Sequence, residues 1–187
     1  MYFQAFLLDA NESNAYVVGC AATRKALLVD VGCYDTRISE FLQKHDLSLQ
    51  HIFLTHDHYD HSGGVSEILS EHGGTVLSAR GGEGENHHIV REGEEVRIGN
   101  LRGRVLDTSG HTPDSISLLL EERMVFVGDA LFAGSIGGTG GESNKKQEME
   151  NIRTKIFTLG DHVEVYPGHG PPSLVGIEKT KNPFFCG

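Results

Sequence analysis

The segment Thr55-His56-Asp57-His58-Tyr59-Asp60-His61 constrains this chain more than any other. The short apolar run His51-Ile52-Phe53-Leu54 precedes it, and Val65, Ile68 and Leu69 follow at helical spacing. It therefore leaves a strand and enters a helix that starts near Ser62 and stops at Gly73-Gly74. Four potential ligands, His56, His58, Asp60 and His61, fall within six residues. An irregular stretch of this kind can turn successive side chains toward one point. Imidazole combined with carboxylate suits zinc, iron or manganese. Taken alone, such a segment can also be a solvated cluster without an ion.

Three further pieces support the metal reading. They are Ser109-Gly110-His111-Thr112-Pro113, Val127-Gly128-Asp129-Ala130 and Tyr166-Pro167-Gly168-His169-Gly170. Each sets one His or Asp just past an apolar run, next to glycine, where the backbone can bend sharply. A lone strand-end histidine is more often satisfied by the protein itself. Four such pieces in one chain favour a shared site.

The rest of the chain reads as strands with helices between them. Strands are expected at 2–8, 14–20, 25–31, 51–54, 75–79, 95–98, 102–107, 115–120, 123–127 and 163–166. Helices are expected at 36–45, from about 62, at 147–159 and from 173. Residues 80–94 read as a surface loop and 133–146 as a glycine-rich functional loop. This pattern suggests sheets packed face to face with helices outside, in one domain over residues 1–187. Glycine at 24 of 187 residues is well above the usual share of about 7%.

Sixteen Lys and Arg against 26 Asp and Glu give a net charge of −10. That balance argues against nucleic acid or an anionic membrane as the main partner. No apolar run reaches the roughly 18 residues of a membrane span, and no secretory signal is visible. Cys20, Cys33 and Cys186 are odd in number and far apart, so a disulfide framework is not expected and a cytoplasmic setting is the default. The cysteines read as core or surface residues.

With these motifs in place, the chain resembles the metallo-β-lactamase superfamily, and within it the glyoxalase II-like branch. The likeness runs from Leu27-Leu28-Val29-Asp30-Val31-Gly32 to Asn182-Pro183-Phe184. It implies an α/β fold, a four-layer αββα sandwich with the site at one end. It implies that His56, His58 and His111 hold one divalent ion, that Asp60, His61 and His169 hold a second, and that Asp129 bridges both. The ions would be zinc, with iron or manganese as alternatives. Asp60 and Asp129 would carry catalytic weight as well as ligation. The implied reaction is hydrolysis of a small-molecule thioester of the hydroxyacylglutathione type by a metal-bridging hydroxide, with no Ser or Cys nucleophile. An iron-dependent persulfide dioxygenase, using the equivalents of His56, His111 and Asp129, is the alternative from another reaction class. A lactonase or other esterase is a third. Asp30 is expected to orient a ligand histidine or to initiate a turn. Asp57 reads as solvated, Tyr59 as pocket-lining or packed, and His87-His88 as solvated.

Two departures from the branch stand out. The C-terminal helical extension of full-length glyoxalase II enzymes does not follow His169. The Gly-Arg-Thr-Asp loop of many relatives is replaced by Gly137-Gly138-Thr139-Gly140. The missing arginine would have been a natural partner for a substrate carboxylate. Lys145 and Lys146 either substitute for it or are solvated.

Overall fold

The computed structural model describes residues 1–81 and 86–186. The expectation of a loop over 80–94 therefore lies partly outside the described residues. Two six-stranded sheets dominate. The first contains β1 (Tyr2–Leu7), β2 (Asn14–Gly19), β3 (Lys25–Val29), β4 (Ser48–Phe53), β5 (Thr75–Ser78) and β6 (His87–Ile89), in that spatial order. The second contains β7 (Glu95–Ile98), β8 (Leu101–Asp107), β9 (Ile116–Leu120), β10 (Met124–Gly128), β13 (Glu164–Pro167) and β14 (Ser173–Leu174), in the order β14-β13-β10-β9-β8-β7. A small hairpin, β11 (Leu131–Phe132) with β12 (Ser135–Ile136), stands apart. The helices are α1 (Thr36–Lys44), α2 (Tyr59–Ser62), α3 (Val65–His72), α4 (Glu142–Asn151) and α5 (Val175–Lys181). Both sheets are mixed: β3, β4, β5 and β6 run parallel, as do β10 and β13, while the other pairs are antiparallel.

Strand periodicity explains the layering. Along β3, Leu27 and Val29 join the core between the sheets, while Ala26 and Leu28 join the core against Ile38, Leu42 and Ile68. Along β9 and β10, Leu118, Leu120, Met124 and Phe126 face the first sheet. Leu119, Val125 and Val127 face Ile152, Ile156 and Val175. Strands buried on both faces read as continuous apolar runs rather than alternating ones. Three apolar layers thus separate four layers of structure, the αββα sandwich expected from the resemblance.

Several expected boundaries move. The segment 59–62 is a helical turn rather than irregular loop, so Asp60 and His61 sit on α2. His87–Ile89 is an edge strand where a loop was expected. The glycine-rich 133–146 stretch contains β12 and the start of α4, which extends through a wide turn over Ile152–Ile156. Polar helix formers from Glu142 onward carry no periodic apolar signal, so the sequence pattern starts α4 too late. α3 does end where expected, with Gly73 at φ +66°.

The topology brings the ligand-bearing pieces to one edge. β3 and β4 are parallel, so their carboxyl ends coincide. β8 and β10 are each antiparallel to β9 and therefore run the same way, and β13 is parallel to β10. The inter-sheet core around Phe126, fully buried against Tyr16 and Tyr166 at ring distances of 5.3 Å each, holds that edge together. Phe126→Ala should cost about 3–5 kcal/mol, read as a lowered urea midpoint with an unchanged slope.

Candidate metal centre

Each histidine of the cluster presents one nitrogen to a common space, and for His56, His61, His111 and His169 the partner of the other nitrogen sets which one. Asp30 ends β3 with φ +53° and is 2% exposed. Its carboxylate accepts from Thr55 N and Thr55 Oγ1, each at 2.8 Å, and from His61 Nδ1 at 2.9 Å. His61 therefore turns Nε2 inward. Thr55 Oγ1, having donated to Asp30, accepts from His56 Nδ1 at 3.1 Å, which turns His56 Nε2 inward too. His111 Nδ1 donates to the Gly138 carbonyl at 2.6 Å, and His169 Nδ1 to the Glu12 carbonyl at 3.3 Å. Their Nε2 atoms also face the centre.

The inward atoms crowd one another. His58 Nδ1 lies 3.0 Å from His56 Nε2 and 3.1 Å from His111 Nε2. His61 Nε2 lies 3.3 Å from His169 Nε2 and 3.4 Å from Asp129 Oδ1. His169 Nε2 is 3.4 Å from Asp60 Oδ2, and Asp129 Oδ2 is 3.6 Å from both His111 Nε2 and His169 Nε2. The inward nitrogens of His56 and His111 carry lone pairs, and both point at His58. A cation satisfies all three nitrogens together. Zinc–nitrogen bonds of about 2.0–2.1 Å in a tetrahedral set place neighbouring donors about 3.3 Å apart. The spacings on both sides of Asp129 match that edge length.

Burial and the carboxylates set the charges around the centre. Burial pushes His56 down to about 3, so its ring is neutral and available as a ligand. At His61 burial acts in the same direction, but Asp30 and Asp129 outweigh it and raise the ring to about 10. Asp129 is held down at about 2: burial opposes this, and the histidines around it prevail. Asp60 is also lowered, against its own burial, by the hydrogen bond from Asn11 Nδ2 at 2.8 Å and by the field of His61. Asp129 Oδ1 is buried with no hydrogen-bond partner among the described residues. The residues present fit a pair of divalent ions, one beside His56, His58 and His111, the other beside Asp60, His61 and His169, with Asp129 reaching both.

All seven expected ligands therefore meet, and so does Asp30. Asn11, Thr55, the Glu12 carbonyl and the Gly138 carbonyl were not evident as orienting groups. Asn11 and Glu12 adopt φ of +53° and +54° in the turn between β1 and β2, and long-range folding alone lays that turn against His169. Asp57 is exposed, as expected of a solvated carboxylate, and it borders a cavity of about 130 Å³ together with His56, Ser78, Arg80, His87 and Asp114. His87 is half-buried there rather than solvated, whereas His88 is exposed. Tyr59 neither packs on the sandwich nor closes the site, being 76% exposed. Lys145 lies over the Phe184 ring at 5.2 Å, and Lys146 is exposed. All three cysteines are free.

The metallo-beta-lactamase superfamily profile matches residues 8–88 and 78–169. The chain belongs to that superfamily and has its metal-dependent hydrolase fold. It is 29% identical to the hydroxyacylglutathione hydrolase GloC of Haemophilus influenzae, across 86% of this chain and 87% of that one. The crystal structure of ETHE1 from Myxococcus xanthus superposes with a TM-score of 0.85 at 36% identity, covering 98% of this chain and 84% of that one. TTHA1623, solved in a di-iron-bound form, superposes at 0.81 with 26% identity over 97% of this chain and 99% of its own. No helix among the described residues is long and apolar enough to cross a membrane.

Asp30→Asn keeps the shape of the side chain but removes the charge that holds His61 and Thr55. It should lower metal affinity about 10–100-fold, measured by competition with a chromophoric chelator.

Proposed function

We propose that this protein hydrolyses a small-molecule thioester of the hydroxyacylglutathione type at a two-ion centre. The observation that carries this is the position of Asp129, within 3.6 Å of ligand nitrogens on both sides of the centre. The relationship to GloC supports the substrate class. Zinc suits the donor set of five imidazoles and two carboxylates. Divalent ions held here would supply a hydroxide near neutral pH and polarise a carbonyl oxygen.

The chain's own groups do the placing. His56 and His61 are buried, whereas His58 is exposed and His111 and His169 are half-buried, so the centre opens on one side and a substrate reaches it from there. Asp129 keeps the two halves at a fixed separation. Asp60, tied by Asn11, brings a second negative charge to the side of His61 and His169. Neither Ser nor Cys is needed as nucleophile. The stretch Gly137-Gly138-Thr139-Gly140 leaves the loop above His111 without a cationic side chain to hold a glutathione carboxylate. Arg80, on the cavity beside His56, is a cation positioned to take that role, although Asp114 already stands 3.7 Å from it.

A second reading is an iron-dependent persulfide dioxygenase held by His56, His111 and Asp129. The 36% identity to ETHE1 from Myxococcus xanthus favours keeping it. Metal analysis paired with assays on a hydroxyacylglutathione thioester and on glutathione persulfide separates the two. Two zinc ions per chain with thioester turnover are expected, while one iron with oxygen uptake on persulfide would replace this reading by the second. Asp129→Ala should strip both ions and reduce turnover to background. Full metal content and rate in that variant would show that Asp129 does not bridge. His58→Ala should impair a hydrolase far more than a one-iron dioxygenase, as read from the rates on the two substrates.

A further inference from the structure

Glu148 is the buried residue of α4, an otherwise polar helix, and it has no exposed surface. Neither of its carboxyl oxygens has a hydrogen-bond partner among the described residues. Its surroundings belong to the metal centre. α4 is stitched to the segment before His111 by Gln147, which donates to Ser109 Oγ at 2.8 Å, and by Asn151, which donates to the Ser109 carbonyl at 2.7 Å. The backbone at Gly110 passes so close that an added Cβ would lie 2.2 Å from Glu148 Cβ. A Cβ on Gly137 would meet the Asp129 carbonyl at 2.0 Å, His111 Nδ1 at 2.9 Å and Glu148 Oε1 at 3.0 Å. The carboxyl therefore sits behind His111, on the Nδ1 side, away from the nitrogen that faces the centre.

A carboxyl group in such a place is costly. Buried charge is normally kept only where it is paired or faces a cation. No Lys or Arg among the described residues forms an ion pair with Glu148, and burial, with the like charge of Asp129 added to it, pushes its carboxyl up to about 8 in the absence of an ion. An apolar residue of similar size would fill the space at lower cost. A pair of divalent ions beyond His111 and Asp129 is a source of positive charge that offsets it.

We propose that Glu148 is a positioning residue of the metal centre, a second carboxyl, after Asp30, outside the ligand set, whose charge strengthens the grip of the His111–Asp129 side on its cation and weakens the metal-free fold. This rests on the metal centre and not on the choice of substrate. Through-space attraction between a buried carboxylate and a divalent ion is only partly screened by the protein between them. The same charge without an ion is uncompensated.

The two halves of the proposal predict opposite shifts. The full chain would be stripped with a chelator and titrated with zinc against a chromophoric competitor. Thermal unfolding would be followed with and without zinc. Glu148→Gln, nearly the same in shape, and Glu148→Leu should melt at or above the wild-type chain when metal-free. Both should bind zinc more weakly, by about tenfold or more, in the range typical of outer partners of metal ligands. Their gain in melting temperature on adding zinc should shrink accordingly. Unchanged zinc affinity in Glu148→Gln would overturn the proposal. So would metal-free variants that melt below wild type, since packing alone predicts that. Should Glu148→Leu fail to fold, Glu148→Gln decides the matter. A wild-type chain that binds no zinc would overturn the metal centre itself. A chain that binds zinc without thioester turnover would overturn only the substrate assignment.

Discussion

The Asp30 carboxylate is the interaction on which the site depends. It accepts three hydrogen bonds, from Thr55 N, Thr55 Oγ1 and His61 Nδ1. A buried anion is tolerable when its lone pairs are taken up in this way. Through those bonds it joins the end of β3 to the end of β4 and to α2. Thr55 carries the link onward: its carbonyl accepts from Ile116 N of the second sheet at 2.8 Å. Gly128, at φ +52°, lets β10 approach so closely that a Cβ there would fall 2.4 Å from Thr55 Oγ1. One carboxylate thus registers both sheets at the edge where the donors meet.

The sandwich does the energetic work and the edge does the chemistry. Three apolar layers hold strands whose parallel relations bring four separated carboxyl ends together. Polar donors can gather there because the backbone has left the ladder and is free to turn. The result is a centre in which imidazoles and ionised carboxylates face one another at ligand-edge spacing, with the cost of their crowding left for a cation to relieve.

The glycine-rich loop over His111 supports the centre from outside the ligand set. It contributes the Gly138 carbonyl that orients His111 and, with no large side chain at Gly137, leaves room for the Glu148 carboxyl behind it. It contributes no cation. Lys145, on the neighbouring helix, is engaged with Phe184. Arg80 borders the cavity next to His56, with Asp114 3.7 Å away.

Much of this was legible in the sequence. Residue type and local spacing marked the candidate donors and the packed sheets, because donor chemistry and strand burial are written in short segments: His56 to His61, the glycine-flanked His111, Asp129 and His169, and apolar runs such as 25–31 and 115–120; the resemblance added the division between two ions and the four-layer sandwich. The starts of α2 and α4 and the edge strand β6 were not legible, since none carries an apolar period of its own. Only the tertiary structure decided which nitrogen of His56, His61, His111 and His169 turns inward, that Asn11 and Glu12 reach the side of Asp60 and His169 from a distant turn, and that Glu148 is buried against Gly110. Apart from the Thr55–His56 contact between neighbours, those facts depend on contacts between residues 27 to 157 positions apart, and no local pattern in a chain encodes where its remote segments will be laid.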